Sequence, residues 1–435
     1  MFNDTICAIS TALKQGAISI VRMSGEDSFD IVSNISDIKD IKPNTIVYGH
    51  IYKDKRMVDE VLVSFFEKGK SYTKERMVEI NCHGGTYVTK DILSILLENG
   101  CRLALPGEFT KRAYLNGRID LSKAESVNDL INANTSLKAR FAINELNGAV
   151  ERLLTPLMDE MKNVISMIEV NIDYPEYEDE KQMTNDVIKP YLIKWIDECE
   201  EMIDKASRFN VVKDGIKTVI IGKPNVGKSS LLNALLEEDK AIVTDIAGTT
   251  RDLVEGKVNL KNITLNLIDT AGIRQAKDSI EEIGIEKSKQ ALNDAEFIIL
   301  VIDANNVDDE DKKLMDIVKD KNHVVVYNKA DIKKGEGICI SAKNNEISEL
   351  VNYINNKYKD DISLVDEDLL NNERQISLMK KCLSELQEMK DNIDNNVDIL
   401  VTNLDEAYHY LCEILGKEYQ EDLINHMFEN FCLGK

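Results

Sequence analysis

The sequence is short of several things, and each shortage removes a class of protein. No apolar run approaches the roughly eighteen residues needed to cross a bilayer, so no membrane helix is expected. The opening residues, Met1-Phe-Asn-Asp-Thr-Ile-Cys-Ala-Ile-Ser10, lack the basic stretch and apolar core of a secretory leader, and a cytoplasmic protein is expected. The eight cysteines (Cys7, Cys82, Cys101, Cys199, Cys339, Cys382, Cys412, Cys432) include no Cys-x-x-Cys pair, so neither a zinc site nor a disulfide framework is indicated. His83, in Cys82-His-Gly-Gly85, has no second ligand at metal spacing and reads as structural. Basic residues are outnumbered, 54 Lys and Arg against 77 Asp and Glu, for a formal charge of -23. Simple capture of nucleic acid works by neutralising phosphates with cations. An RNA-directed activity would therefore need a local basic pocket or a basic partner.

What is present divides into three textures. The 435 residues suffice for two or three domains. Up to about Arg118, short strand-like runs (17–23, 58–66, 77–81) alternate with turns and one amphipathic helix (87–98), predicting an α+β domain. From Ser122 to Asn210 glycine and proline are sparse, and apolar residues recur at helical spacing over 146–170 and 187–203. Between those helices lies the acidic linker Asp173-Tyr-Pro-Glu-Tyr-Glu-Asp-Glu, which Pro175 keeps non-helical. Between about Gly215 and Ile362 the pattern becomes strand–helix alternation. The β-branched runs 218–221, 263–268, 297–302, 324–327 and 338–340 predict a parallel sheet covered by helices on both faces. Helical patterning resumes over 378–389 and 399–415. A helical domain interrupted by an inserted α/β domain accounts for this order.

Within the inserted segment, Gly222-Lys-Pro-Asn225-Val226-Gly227-Lys228-Ser229-Ser230 follows one strand and opens a helix over 229–236. This is the phosphate-binding loop pattern. Its glycines let backbone N–H groups wrap phosphates, Lys228 supplies charge at the β/γ-phosphates, and Ser229 suits Mg²⁺. Four companions follow in order: Gly248-Thr249-Thr250, Asp269-Thr270-Ala271-Gly272, Asn328-Lys329-Ala330-Asp331 and Ser341-Ala342-Lys343. Thr250 can complete the Mg²⁺ shell, Asp269 can reach it through water, and the Gly272 N–H can meet the γ-phosphate. Asp331 can accept both N1–H and N2–H of guanine, a donor pair that adenine lacks, and the Ser341 segment buttresses the base. Each motif alone is weak; together, at the ends of strands where doubly wound sheets bind ligands, they specify a Ras-like GTPase domain. An ATPase would leave Asn328-Lys-Ala-Asp331 unexplained. One departure stands out. Ras-like switches orient the attacking water with a glutamine directly after Asp-x-x-Gly; here that residue is Ile273. Glu281 and Glu282 stand nearby in sequence, and read alone they are solvated surface charges.

Further motifs give the chain a family resemblance. Thr244-Asp245-Ile246-Ala247-Gly-Thr-Thr-Arg-Asp252, Asp269-Thr-Ala-Gly-Ile-Arg and Glu282-Ile-Gly-Ile-Glu286 resemble the MnmE (TrmE) family of tRNA-modification GTPases. So do Asp4-Thr-Ile, Gly16-Ala-Ile-Ser-Ile-Val-Arg22-Met-Ser-Gly25, Cys82-His-Gly-Gly85, Leu105-Pro-Gly-Glu-Phe-Thr-Lys-Arg-Ala-Tyr-Leu-Asn-Gly117 and the terminal Cys432-Leu-Gly-Lys435. The match covers essentially the full length. It implies a multidomain α/β and all-α architecture: an N-terminal α+β tetrahydrofolate-binding, dimerising domain (1–118), a discontinuous helical domain (119–214 plus 363–435) and an inserted Ras-like P-loop GTPase domain (215–362).

The resemblance also implies an activity. Members act with an FAD-dependent partner, MnmG, to place an aminomethyl or carboxymethylaminomethyl group at C5 of the wobble uridine (position 34) of certain tRNAs. The one-carbon unit comes from methylene-tetrahydrofolate. Two G domains meet in a homodimer, with K⁺ in the place of an arginine finger. By position Asn225, Thr244, Ile246 and Thr249 would ligate K⁺, Ser229 and Thr250 would ligate Mg²⁺, and Glu281 would orient the attacking water. A 5-formyl- or 5,10-methylene-tetrahydrofolate would meet Arg22, Glu79, Arg118 and Lys435. Cys432 would be the acid or nucleophile; a packed thiol and, less well matched, a prenylation site are the other readings of it. Two other functions share the GTPase motifs: a ribosome-assembly switch, which the absence of a basic RNA-binding module disfavours, and a non-catalytic dimeric scaffold, which the intact nucleotide motifs disfavour.

Overall fold

Alternation of apolar and polar residues at period two builds the first sheet. The computed structural model describes residues 4–173, 184–238, 254–260, 263–268, 292–333, 335–393, 397–417 and 434. Residues 244–250, 269–273, Glu281, Glu282, Cys432 and Lys435, and with them several expected site positions, lie outside the described residues, as does Pro175 of the acidic linker. The chain forms two compact units, Met1–Asn132 with Ala142–Ile196 and Ser377–Lys435, and Ala133–Phe141 with Asp197–Ile376.

The first unit opens with β1 (Ile6–Ile9), β2 (Ile18–Ser24), α1 (Ser28–Ile35), β3 (Thr45–Lys53), β4 (Arg56–Phe66), β5 (Met77–His83), α2 (Thr86–Glu98) and β6 (Arg102–Leu103). The strands form a six-stranded sheet in the order β3-β4-β5-β2-β1-β6. Only the β1–β6 pairing is parallel. Val21 and Met23 of β2, Val61, Val63 and Phe65 of β4, and Val78 and Ile80 of β5 share a buried core with Ile31, Val32 and Ile35 of α1 and Ile92, Ile95 and Leu96 of α2. The residues between them along β2 and β5 therefore point the other way, Arg22 and Glu79 among them.

The segment Leu105-Pro-Gly-Glu-Phe-Thr-Lys-Arg folds into α3 (Glu108–Leu115), whose preceding Gly107 takes a left-handed conformation (φ 66°). Its Arg112 is wholly buried and pairs with Asp4 (2.7 Å), Glu108 (3.0 Å) and Glu75 (3.2 Å). A guanidinium out of water is tolerated only with such partners. Here they tie α3 to the N-terminal strand and to the loop that carries Tyr72. Helices α4 (Leu121–Asn132), α5 (Ser136–Leu146), α6 (Ala149–Asp173) and α7 (Asn185–Asp214) follow.

The second sheet begins at β7 (Ile216–Ile221). Next come α8 (Lys228–Glu238), β8 (Val254–Leu260), β9 (Ile263–Ile268), β10 (Phe297–Asp303), α9 (Asp309–Val318), β11 (His323–Asn328), β12 (Ile338–Cys339), α10 (Ser348–Lys357) and α11 (Lys359–Ser363). The sheet order is β12-β11-β10-β7-β9-β8. Phe297, Ile299 and Val301 of β10 enter one core and Ile298, Leu300 and Ile302 another. That is why this strand reads as an unbroken apolar run. The five strands expected from the sequence all pair parallel; the sheet has a sixth strand that was not expected, β8, which runs antiparallel to β9. Only two residues separate these strands, and a connection that short can only reverse the chain.

Helices α12 (Glu373–Asp391) and α13 (Val397–Ile414) return to the first unit over Ser377–Lys435. There α13 packs on α6. Leu400, Leu404, Ala407, Leu411 and Ile414 of α13 and Leu154, Leu157, Met161, Val164 and Ile168 of α6 form the buried stripes that helical periodicity predicts. Among the described residues no helix is long and apolar enough to cross a membrane.

Candidate functional site

The second sheet changes winding direction at β7: β9 lies on one side of it and β10 on the other. The crevice beyond the C-terminal ends of strands at such a switch point is where doubly wound sheets hold ligands. Gly222-Lys-Pro-Asn-Val-Gly occupies that position, between β7 and α8. Gly222 has φ 148°, and a β-carbon there would run into the Val301 carbonyl oxygen; Gly227 has φ 101°, and a β-carbon there would strike the Asn328 side chain. Both glycines are thus demanded by packing as well as by backbone angle. Asn225 also sits at positive φ (63°), is exposed, and its side chain has no hydrogen-bond partner among the described residues.

The loop is held by its own lysine. Lys228 Nζ donates to the Gly222 and Lys223 carbonyls, both at 2.7 Å. Burial pushes its pKa below the ordinary lysine value. Its ammonium thus lies against the concave backbone, at the start of α8, where the helix dipole favours an anion. Ser229 and Ser230 are exposed in the first turn of α8, and Val226 is buried beneath the loop.

Asn328 joins three pieces. It ends β11 and is buried; its Nδ2 donates to the Val226 carbonyl (2.8 Å), and its Oδ1 accepts from Ala342 N–H (3.0 Å). The phosphate loop and the Ser341 segment are therefore fixed to each other through one amide. Three residues on, Asp331 is exposed and accepts from Ser341 Oγ (3.0 Å). Lys329, at φ 64°, donates to Asp303 at the end of β10 (2.6 Å). Burial raises the Asp303 pKa, but Lys329 and the hydrogen bonds from Asn305 outweigh it and hold the carboxyl below its usual value. Ala330 N–H donates to the Ile340 carbonyl (3.0 Å), and Lys343 projects into solvent.

Three acidic partners of this site were not read from the sequence. Lys223 pairs with Asp308 (2.6 Å) and with wholly buried Asp311 (2.8 Å), the two acids of a capping box that starts α9. Those hydrogen bonds, to Asp308 first, raise the Lys223 pKa. Asp303, the last residue of β10, is the third. The signal available for all three was an acid at or soon after the end of a buried strand.

A second group of expected residues meets on the polar face of the first sheet. Arg22 and Glu79 are direct cross-strand neighbours on β2 and β5, and Arg22 Nε and Nη2 both donate to Glu79 Oε1 (2.9 and 2.7 Å). Arg22 Nη1 also reaches the Gly434 carbonyl (3.4 Å), to which Ser10 Oγ donates as well (3.1 Å). The residue preceding Lys435 is therefore brought to the Arg22–Glu79 pair. Tyr72, which the sequence did not single out, joins Arg22 to Arg118: their guanidinium carbons lie 5.7 and 4.6 Å from its ring centre. His83, expected to be structural, donates its backbone N–H to Asp59 and pairs with it through Nδ1 (2.7 Å), which raises the imidazole pKa.

Matches to known proteins span nearly the whole chain. Residues 5–118 match the family described as GTP-binding protein TrmE N-terminus, and residues 121–432 match the MnmE helical domain. The tRNA modification GTPase MnmE of Lactococcus lactis subsp. lactis (strain IL1403) is 44% identical over 450 residues, spanning 99% of this chain and 98% of that protein. The protein of the same name from Streptococcus thermophilus (strain CNRZ 1066) is 42% identical over 449 residues, with 99% and 98% covered.

Proposed function

The chain belongs to the MnmE family of tRNA modification GTPases and is an enzyme that hydrolyses GTP in tRNA modification; on that premise we propose how its parts divide the work. GTP binds at the C-terminal edge of the second sheet, with phosphates on residues 222–230 and guanine on Asp331. The observation that carries this reading is the Asn328 amide, which orders the phosphate loop and the base-reading segment as one surface. Residues 1–118 form the tetrahydrofolate-binding, dimerising domain, 119–214 with 363–435 the helical domain, and 215–362 the G domain. With an FAD-dependent MnmG-type partner, the protein adds an aminomethyl or carboxymethylaminomethyl group to C5 of uridine 34, in the cytoplasm.

The residues fit the implied groups. Asn225 offers an exposed amide oxygen, a hard donor suited to K⁺; Thr244, Ile246 and Thr249 would complete that site. Ser229 and Thr250 would hold Mg²⁺. Bound at these positions, the cations would neutralise charge developing on the transferred phosphoryl group. Glu281 orients the attacking water, the task Ile273 cannot perform. On the first sheet Glu79 presents a carboxylate suited to pterin N–H groups, and Arg22, Arg118 and Lys435 are cations suited to carboxylates. The folate supplies the one-carbon unit. Cys432 acts on the uridine as acid or nucleophile.

Exchanging Na⁺ for K⁺ is expected to raise GTP turnover roughly 10-fold or more, and Asn225→Ala to erase the difference. Equal rates in the two salts, measured on wild-type protein, would remove the K⁺ assignment. The broader reading is tested by nucleoside analysis of tRNA from cells lacking the protein. The modified wobble uridine should disappear, and an unaltered one would return the chain to the ribosome-assembly alternative.

A further inference from the structure

Beside the Arg22–Glu79 pair lies a cavity of about 370 Å³ lined by Phe66, Gly69, Lys70, Ser71, Tyr72, Lys74, Met77 and Arg118. That volume is within the roughly 300–1,000 Å³ of small-molecule sites. Its walls are of two kinds. Phe66, Tyr72 and Met77 give an apolar side, while Lys70, Lys74 and Arg118 bring three cations and no lining residue brings a carboxylate. In a chain with a formal charge of -23 this runs against the overall composition.

The acids of the same loop do not cancel that charge, because each is engaged elsewhere: Glu67 with Arg76 (3.0 Å), Glu75 with Arg112 (3.2 Å) and, across from the loop, Glu26 with Lys68 (2.8 Å). Lys74 Nζ donates to the Gly117 carbonyl (2.7 Å), which leaves its charge uncompensated. Among the described residues, Lys70 and Arg118 have no carboxylate partner. The loop itself is firmly built. Tyr72 Oη hydrogen-bonds Thr110 Oγ1 (2.9 Å), and Asn116 Nδ2 donates to the Thr73 carbonyl (2.7 Å). Tyr72, which lines the cavity with Arg118, also lies within reach of Arg22: the guanidinium carbons of Arg118 and Arg22 are 4.6 and 5.7 Å from its ring centre.

We propose that this cavity receives the aminobenzoyl-glutamate end of the folate, and that Lys70 and Lys74 read the carboxylates of additional γ-linked glutamates, making the protein selective for polyglutamylated folates. The proposal rests on the folate reading of Arg22 and Glu79 given above. The aromatic ring would lie against Phe66, Met77 and Tyr72. The first glutamate carboxylate would meet Arg118, a planar donor fork suited to it, and the extended anionic chain would run out past the two lysines. Their contribution is electrostatic and partly screened, so each is worth about 1.5- to 5-fold in affinity.

The test is equilibrium titration of the full-length protein with monoglutamyl and pentaglutamyl 5-formyl-tetrahydrofolate. Wild type should bind the pentaglutamyl form several-fold more tightly. Lys70→Gln combined with Lys74→Gln should bring that ratio towards one while changing monoglutamyl affinity less than about twofold. Lys70→Arg combined with Lys74→Arg, which keeps the charges, should retain the preference and so separates charge from loop damage. Equal wild-type affinities, or a preference that survives loss of both lysines, would overturn the proposal and leave the folate reading intact. Failure of wild type to bind either ligand would remove the folate reading and this proposal with it. An unchanged ratio accompanied by weakened tRNA binding in the double variant would instead assign the patch to RNA.

Discussion

Asp331→Asn will weaken GTP binding by roughly 10³-fold or more and admit xanthosine triphosphate in its place. The argument is one of donors and acceptors. Guanine presents N1–H and N2–H on one edge, and a carboxylate accepts both. An asparagine offers one acceptor and one donor, so its NH₂ would face a guanine donor, leaving buried polar groups unpaired. Xanthine replaces the exocyclic amine with an oxygen and so restores the match. The surroundings favour a clean exchange, because Ser341 Oγ already donates to Asp331 Oδ1 at 3.0 Å and can donate equally to an amide oxygen. Asn328, which carries the structural link to the phosphate loop, is untouched. Nucleotide titrations of the purified variant check this; undiminished GTP affinity would dismantle the guanine assignment and revive the ATPase alternative.

The second large effect is expected on rate alone. Glu281→Ala should lower single-turnover GTP hydrolysis by roughly 10²- to 10⁴-fold, the range for loss of a positioned proton-handling group, while GTP affinity stays nearly unchanged. The pairing of these two readouts matters. A residue that merely props up the loop would change binding and hydrolysis together, whereas one that orients water changes the transition state only. Ile273 gives the prediction its force: an isoleucine side chain has no hydrogen-bonding atom, so the position that serves this purpose in Ras-like switches cannot. Ordinary turnover by the variant would return Glu281 to the solvated surface charges from which family position alone distinguishes it.

Much of the architecture was legible because local pattern and tertiary role agree. The run Phe297-Ile-Ile-Leu-Val-Ile reads as a central strand because it is buried on both faces, and the stripes of α6 and α13 follow helical spacing. The phosphate loop was legible because its glycines answer steric demands that no other residue meets. What escaped were features made by long-range pairing. The antiparallel β8 has the composition of any short strand, and its direction is set only by the two-residue link to β9. Lys223 found its acids 85 and 88 positions downstream, through the return of β10 to the side of β7. Tyr72 is an ordinary aromatic residue in sequence; its place between two arginines depends on the loop being anchored to α3 through Thr110 and Arg112. Arg22 and Glu79 were named by resemblance, and nothing in their spacing of 57 residues announces that they are direct cross-strand neighbours.

The carbonyl of Gly434 receives hydrogen bonds from Ser10 and Arg22, 424 and 412 residues earlier in the chain. Gly434 fits there because its φ is 90° and a β-carbon would collide with the Ile9 carbonyl oxygen. On a ribosome this sets a clock. At synthesis rates of about 5–20 residues per second, roughly 20–80 s separate the emergence of β1 and β2 from that of their last partner. The second unit's sheet lies wholly within residues 216–339 and can form during that interval. The polar face of the first sheet waits for Gly434, so a truncated product would carry a GTPase unit without a finished N-terminal site.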